Sequence, residues 1–393
     1  MADNLPPLSL YLHFPWCVAK CPYCDFNSHS LRGELPAAGY IDALRAEIAR
    51  LPEDIAARPL RSIFMGGGTP SLFSPRAMHQ LLDAVRERCT LIPDAEVTME
   101  ANPGALEHAA FEGYLAAGIN RLSLGVQSFD DAILQRLGRV HDSHDALTAF
   151  RQARAAGFAN INIDLMYALP GQDETGAIRD VECALELQPE HVSHYHLTLE
   201  PNTVFYSRPP SGLPDADLAW SIQAACAAPL HAAGYENYEV SAWAQPRKPS
   251  CHNLNYWNFG DYVGLGAGAH GKVSRRDGAG ALQVSREVRV AHPREYQRQA
   301  LAGNVAVANP VSPADLVFEF MLNALRLKEG VELSQFAVYT GLSADALALP
   351  LAKAYQAGLL ANPARGRIKA TPRGWRFLDD LQAMFLPEPG EQS

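Results

Sequence analysis

A long hydrophobic run is missing near the start of this chain: the longest apolar stretch there, Leu8 to Trp16, is too short and interrupted to span a bilayer. A basic leader with a cleavage site is missing as well, so the expectation is a cytoplasmic protein. Positive charge is in deficit: 33 Lys and Arg stand against 43 Asp and Glu, for a net charge of −10. That balance argues against binding nucleic acid through its phosphates. Cysteine is sparse and odd in number, seven in 393 residues. A disulfide framework is therefore not expected, and a reducing compartment is. Low-complexity tracts are absent. What remains is an ordinary globular composition, 48% hydrophobic and 19% charged, long enough for one barrel-sized domain and a smaller one.

Three of the seven cysteines crowd into one loop. Residues 8–14 read as a strand ended by Pro15, and Cys17, Cys21 and Cys24 follow at spacings of four and three. Thiolates are soft ligands, and groups of them usually hold iron–sulfur clusters or zinc. A tight loop can place three sulfurs on three corners of a cubane and leave the fourth iron open to a small molecule. The competing reading is a Cys3His zinc site completed by His29.

Apolar periodicity predicts further strands over 61–65, 96–99, 121–126, 160–166 and 191–199. Helices are predicted over 40–51, 75–89, 105–117, 130–137, 143–156 and 174–187. Ser74 and Pro75 make a helix start. Six βα units without a run of hairpins predict an α/β fold, a partial (β/α)6 barrel, with a doubly wound open sheet as the alternative. In both, ligands bind at the strand C-termini, where the cysteines, Gly66–Gly68, Glu100 and Gln127 fall. Residues 215–233 read as helix and 235–243 as strand. The expected boundaries are a barrel over 1–271, a connecting segment over 272–311, and a mostly helical, winged-helix-like domain over 312–393. That last unit opens on Ser312-Pro313-Ala314-Asp315, a good helix start. Pro350 is expected to kink a helix over 343–358. Arg365, Arg367, Lys369, Arg373 and Arg376 could form a nucleic-acid wing, but a lid or docking module packed on the barrel is the favoured reading.

The groups at the strand ends suit a polar ligand. Gly66–Gly68 remove side chains where a ligand must approach backbone, and their amides could bind a carboxylate. Glu100 and Asp164 can accept hydroxyls or an ammonium group, and Gln127 can donate as well as accept. Arg139 can pair with a ligand carboxylate.

The Cys-x3-Cys-x2-Cys loop, with Tyr23 before its last cysteine, resembles the radical S-adenosylmethionine (SAM) signature. Residues 8–200 further resemble the anaerobic coproporphyrinogen III oxidase family. The likeness rests on Tyr11 with His13, Gly66–Pro70, Glu100-Ala101-Asn102-Pro103, Ser123 to Phe129, and Asn162 to Tyr167. It implies a [4Fe–4S] cluster on Cys17, Cys21 and Cys24 whose open iron takes SAM. It implies SAM contacts from Tyr11, Gly67 and Glu100. A second SAM or adjoining cavity would be lined by Tyr23, Gly68, Thr69, Gln127, Arg139, Asp164 and Thr198. Two departures stand out. The oxidase has a fourth cysteine two residues after the third, where this chain has Phe26, and a longer extension before its first strand. Both point to the HemW-type haem-chaperone subgroup and away from decarboxylation of coproporphyrinogen.

His252-Asn253-Leu254-Asn255-Tyr256-Trp257 matches that subgroup's His-Asn-x-x-Tyr-Trp motif, associated with haem. Imidazole ligates haem iron well, and Tyr256 and Trp257 offer flat apolar faces to a porphyrin. The expectation is haem iron on His252, with Asn253 orienting the ring and binding that weakens at mildly acidic pH. Cys251 and His270 are the fallback ligands. No Cys-x-x-Cys-His occurs, so covalent haem attachment is not expected. The resemblance implies acceptor haemoproteins as partners, among them membrane respiratory enzymes, with bacterioferritin as a donor. Contact with the membrane would be peripheral, during haem transfer. The rival function is an oxidase or dehydrogenase acting on coproporphyrinogen III or another substrate through cleavage of SAM.

Overall fold

A computed structural model of the chain describes residues 5–104, 111–304, 306–361 and 366–387. In its first half, six strands run parallel and lie side by side in sequence order. They are β1 (Leu8–Phe14), β2 (Leu60–Gly67), β3 (Leu91–Ala101), β4 (Arg121–Gln127), β5 (Ile161–Tyr167) and β6 (His191–His196). The residue pattern explains the layering. Leu8, Leu10, Leu12 and Phe14 are buried under helices; Phe14 lies 6.2 Å from the ring of Tyr40 on helix Ala37–Ala49. The alternate residues Ser9, Tyr11 and His13 point inward. The same alternation turns Ser62, Phe64, Glu96, Thr98, Glu100, Ser123 and Asp164 toward a polar interior. Burial of the outer Leu, Ile and Val face, at about 25 cal/mol per Å², drives the helical layer onto the sheet. Strand order without a reversal is that of a barrel winding and rules out the doubly wound alternative.

The barrel stays open, and strands are added at both ends. β7 (Glu236–Glu239) and β8 (Ala242–Ala244) extend it antiparallel beyond β6. On the other side β9 (Asp261–Leu265) pairs parallel with β1. β10 (His270–Arg276), β11 (Leu282–Arg289) and β12 (Ala306–Pro310) then continue antiparallel, completing a twelve-stranded sheet. The segment 272–311, expected to connect two domains, therefore supplies strands of the sheet, and its helix Pro293–Ala302 packs on helix Ala37–Ala49. Their polar composition hid this. Lys272 and Ser274 are buried, held by the Asp261 carboxylate at 2.9 and 2.8 Å.

A second apolar core lies over helices Pro313–Ala324, Leu333–Thr340 and Ala348–Gln356 and the small ribbon Val331–Glu332 with Arg367–Ile368. Phe259 and Val284 of the sheet region enter this core, which seats the unit on the barrel. Ser312 Oγ caps the first helix by accepting from Asp315 N. The helix expected over 343–358 is a 3-10 turn, Ala344–Leu347, followed by the α-helix. Pro350 falls in that helix's first turn, where its missing N–H is harmless, and no kink results. The last helix breaks at Phe377 into Pro372–Arg376 and Leu378–Ala383. Arg367 and Lys369 pair with Glu332 and Glu329 at 2.6 and 2.8 Å. Arg365 and the first half of the helix expected over 105–117 lie outside the described residues. Among the described residues, no helix is long and apolar enough to cross a membrane.

Candidate functional site

The C-terminal mouth of the barrel gathers the cysteine loop, the glycine run and the inward side chains of the strands. Trp16–Cys17 pairs in parallel with His29–Ser30, closing the loop at its base. Asn27 Nδ2 donates to the carbonyls of Ala267 and Ala291, both at 2.8 Å. Gly68 N donates to Phe14 O at 2.6 Å and Thr69 N to Trp16 O at 2.7 Å, so the glycine run is fastened to the strand that leads into the cysteines. A Cβ on Gly68 would sit 2.5 Å from Trp16 O. On Gly67, whose φ is +113°, it would sit 2.3 Å from the His13 ring. Close backbone packing therefore demands glycine here. Gly67 N donates to Glu100 Oε2 at 3.1 Å. The amides expected to meet a ligand thus already have protein partners, because the run must close against β1 and β3.

Cys17, Cys21 and Cys24 are free thiols, partly exposed. Arg139 Nη1 reaches Cys21 Sγ at 3.4 Å, and Cys24 Sγ lies 3.6 Å from Ser28 Oγ. Arg139 is itself anchored: Nη2 donates to Asn102 Oδ1 at 2.7 Å and to Gly125 O at 2.8 Å. Asn102 Nδ2 in turn donates to Thr69 Oγ1 at 2.7 Å. Burial pushes the Cys17 thiol up; bonds with Thr69 and Ser28 oppose this, while the Cys24 and Cys21 sulfurs add to it. Burial also works against the charge of Arg139, but Tyr23 and Cys21 beside it hold it protonated. Three sulfurs with one guanidinium suit an anionic iron–sulfur cluster, whose charge the arginine would offset. Among the described residues, no three His, Cys, Asp or Glu side chains converge on one metal ion, His29 included.

Behind the loop the interior is polar and buried. His13 Nε2 lies 2.9 Å from the carbonyl of Asn27, which can only accept, so Nε2 carries the proton. Burial lowers the His13 pKa, which keeps the ring neutral, and Nδ1 then accepts from the Tyr11 hydroxyl at 2.9 Å. Glu100 is pushed up to about 8, by burial first and by Asp164 second, against the bond from Gly67. Burial also raises Asp164, against bonds from Asn162 at 2.7 Å and Ser123 at 3.0 Å. Two carboxyl groups in one such interior attract a cation, and holding it requires at least one to lose its proton. Gln127 has φ +71°, and its Oε1 accepts from the Tyr195 hydroxyl at 2.6 Å. Burial raises the Tyr23 hydroxyl, which lies beside Arg139 and Cys21. Thr198 is exposed beyond the end of β6.

The His-Asn-x-x-Tyr-Trp segment lies at the opposite end. It forms helix Cys251–Trp257, capped by Ser250 Oγ, and it closes the floor of the barrel. The buried Glu96 carboxylate accepts from Cys251 N and His252 N, both at 3.1 Å, and so satisfies the helix's unpaired N–H groups. His252 is 3% exposed. Its Nδ1 meets Ser62 Oγ at 3.0 Å, which meets Ser9 Oγ at 2.8 Å. Its ring stacks on Phe64 at 4.9 Å and meets Tyr256 edge-on at 4.9 Å. Burial, with Arg121 nearby, lowers its pKa to about 3, so the expected loss of ligation at mildly acidic pH has no basis here. Trp257 packs on the second core, under the Arg326 guanidinium at 4.2 Å, while Asn253 N serves the Ser250 cap. His252 and Tyr256 come together, and Trp257 and Asn253 do not join them on one face. Cys251 and His270 are exposed.

Sequence reasoning passed over Asn27, Tyr195, Ser62 and Glu96, and it quoted Asn102 without a role. For Ser62 and Glu96 the available signal was a polar residue on a strand whose alternate residues are apolar.

Residues 11–183 match the family model described as Radical SAM superfamily, and residues 311–377 match the HemN C-terminal domain. The fold is also that of coproporphyrinogen III oxidase HemN from Escherichia coli, with TM-score 0.80 over 98% of this chain and 91% of that one, at 24% identity. The molecule is thus a radical SAM barrel with a HemN-type C-terminal unit, a class whose cofactors are a [4Fe–4S] cluster and SAM. The sequence narrows the class. It is 46% identical to Heme chaperone HemW of Escherichia coli over 98% of this chain and 100% of that protein. It is 32% identical to Heme chaperone HemW of Bacillus subtilis over 97% and 99%. The chain belongs to the HemW family.

Proposed function

We propose that this protein is a haem chaperone, which binds haem and hands it to acceptor haemoproteins. The observation that carries this reading is identity along the whole chain with proteins named heme chaperones. Phe26 supports it: where the oxidase has a fourth cysteine, this chain has an aromatic residue, 58% exposed on the loop. Cys17, Cys21 and Cys24 would hold the cluster. Tyr11, Gly67 and Glu100 would hold SAM, with Tyr23, Gly68, Thr69, Gln127, Arg139, Asp164 and Thr198 around the adjoining space. Glu100 and Asp164 would meet the cationic parts of SAM and release a proton as it binds. Arg139 would steady the cluster's charge through Cys21. When bound, a reduced cluster can supply SAM with one electron that breaks an S–C bond. His252 would reach haem iron only if helix Cys251–Trp257 left the barrel floor. Acceptors in the respiratory membrane, a bacterioferritin donor and a cytoplasmic location belong to the same reading.

The test is transfer. Haem-loaded protein, with and without cluster and SAM, is mixed with an apo-haemoprotein, and the acceptor's own absorption bands are followed. Haem should move to the acceptor, and coproporphyrinogen III should stay unchanged under anaerobic conditions with SAM and reductant. Retention of haem together with conversion of coproporphyrinogen would decide for the enzyme.

A further inference from the structure

The geometry points to a haem-binding cavity between the barrel and the C-terminal unit, away from the His252 helix. This inference rests on the chaperone reading and names its site. The cavity measures about 610 Å³. One wall is a face of helix Ala216–Ala232, where Trp220, Ala224, Ala227 and His231 recur at helical spacing. The two alanines leave a shallow bed between an indole at one end and an imidazole at the other. From Trp220 to His231 the bed runs about 16 Å at 1.5 Å per residue, enough for a porphyrin with its side chains. Trp243 and Tyr167 come from the sheet, and Trp375 and Phe377 from the C-terminal unit. Five aromatic rings around one cavity suit a flat aromatic ligand better than a flexible or strongly hydrated one.

The polar groups suit the rest of a haem. Lys328 Nζ lies 4.4 Å from the centre of the Trp375 ring, and the Arg376 guanidinium lies 5.1 Å from that of Trp220. The Trp375 indole N–H is buried without a hydrogen-bond partner. Two cations and an orphaned donor call for an acceptor-rich anion, which the two haem propionates supply. Asp379 and Asp380 also line the cavity, and both are exposed to water. His231 is exposed, with its ring edge-on to Trp243 at 4.7 Å. It is the imidazole with an open side. His194, the other one, is buried against Tyr167 at 4.8 Å. Haem would slide under Arg376, lift the guanidinium from Trp220 onto a propionate, and meet His231 with its iron.

The experiment is anaerobic titration of the full cluster-bearing chain with haem, followed by Soret absorbance and by quenching of tryptophan fluorescence. Trp220→Ala and Arg376→Gln should each weaken binding about tenfold. His231→Ala should shift the Soret band. Protoporphyrin IX dimethyl ester, which lacks the carboxylates, should feel Trp220→Ala and ignore Arg376→Gln. Trp220 is 41% exposed and Arg376 is exposed too, so these variants keep the fold; unchanged iron content checks it. If all three variants bind haem with wild-type affinity and spectrum, the cavity is not the site, though the chaperone reading stands. Loss of binding in His252→Ala alone overturns the cavity in favour of the floor. Failure of the wild-type chain to bind haem overturns the chaperone reading itself.

Discussion

The mouth and the floor of the barrel are built from the same strands, yet they differ in what is left unsatisfied. At the floor the hydroxyls and the carboxylate that hold the helix start are paired: Ser9 meets Ser62, Ser62 meets His252, and Glu96 meets three groups of the helix start. At the mouth three thiols stand partly exposed, and two carboxyl groups share one interior. A buried group with partners stabilises; one without them waits for a ligand. The contrast separates a structural end from a chemical end, although both hold histidine, carboxylate and cysteine.

The sharpest test removes thiols. Cys17→Ala, Cys21→Ala or Cys24→Ala should abolish the four-iron cluster, while changing the stability of the cluster-free protein by no more than about 0.5 kcal/mol. Iron analysis and urea unfolding read the two halves. A cluster that survives in the triple variant would break the comparison at the mouth.

At the floor the effect should fall on folding. Glu96→Ala strips the helix start and leaves Arg121, 3.8 Å away, buried without its partner. A loss of about 3–5 kcal/mol is expected in urea unfolding, with full iron content in the folded fraction. A loss below 1 kcal/mol would mean that the floor is not held by this carboxylate.

The two ends should also respond to pH in opposite senses. Glu100 has its pKa raised from 4.5 to about 8 on folding. Its contribution is therefore full below 4.5 and lost as pH rises through 8. His252 has its pKa lowered from 6.5 to about 3. Its contribution is present above 6.5 and lost as pH falls toward 3. Each slope is about 1.4 kcal/mol per pH unit. Glu100→Gln should flatten stability between pH 5 and 8 (roughly the window set by the linkage relation), and His252→Phe should flatten the acid side. Unchanged slopes in both variants would erase the distinction.

The smallest change expected is Ser62→Ala. It removes the hydroxyl between Ser9 and His252 and should cost about 1 kcal/mol, without altering iron content or SAM binding. A larger loss would show that the two serines and the histidine act as one network, and a double-mutant cycle with Ser9→Ala would measure it.

Much of the mouth was legible in the sequence, because local order specifies it. Cysteine spacing, the strand before Pro15, and glycines at the end of β2 are all short-range signals. The floor was not legible. That Glu96 meets Cys251 depends on residues far apart in sequence, and only the closed fold brings them together. The same holds for β10 to β12, where Lys272 reads as surface until Asp261 is found beside it. Pro350 misled for a local reason: its position within the helix, rather than its presence, decides the kink.

β1 lies between β2, which follows soon after it in the chain, and β9. Leu8 of β1 pairs with Asp261 of β9, which leaves the ribosome roughly 250 residues later; at about 5–20 residues per second, the delay is roughly ten to fifty seconds. Throughout that time one edge of Leu8–Phe14, apolar at every second residue, has no strand to pair with. The nascent protein must therefore be shielded from neighbouring chains until its second half is made. A message truncated anywhere before the codon for Leu265 yields a product that is prone to aggregate.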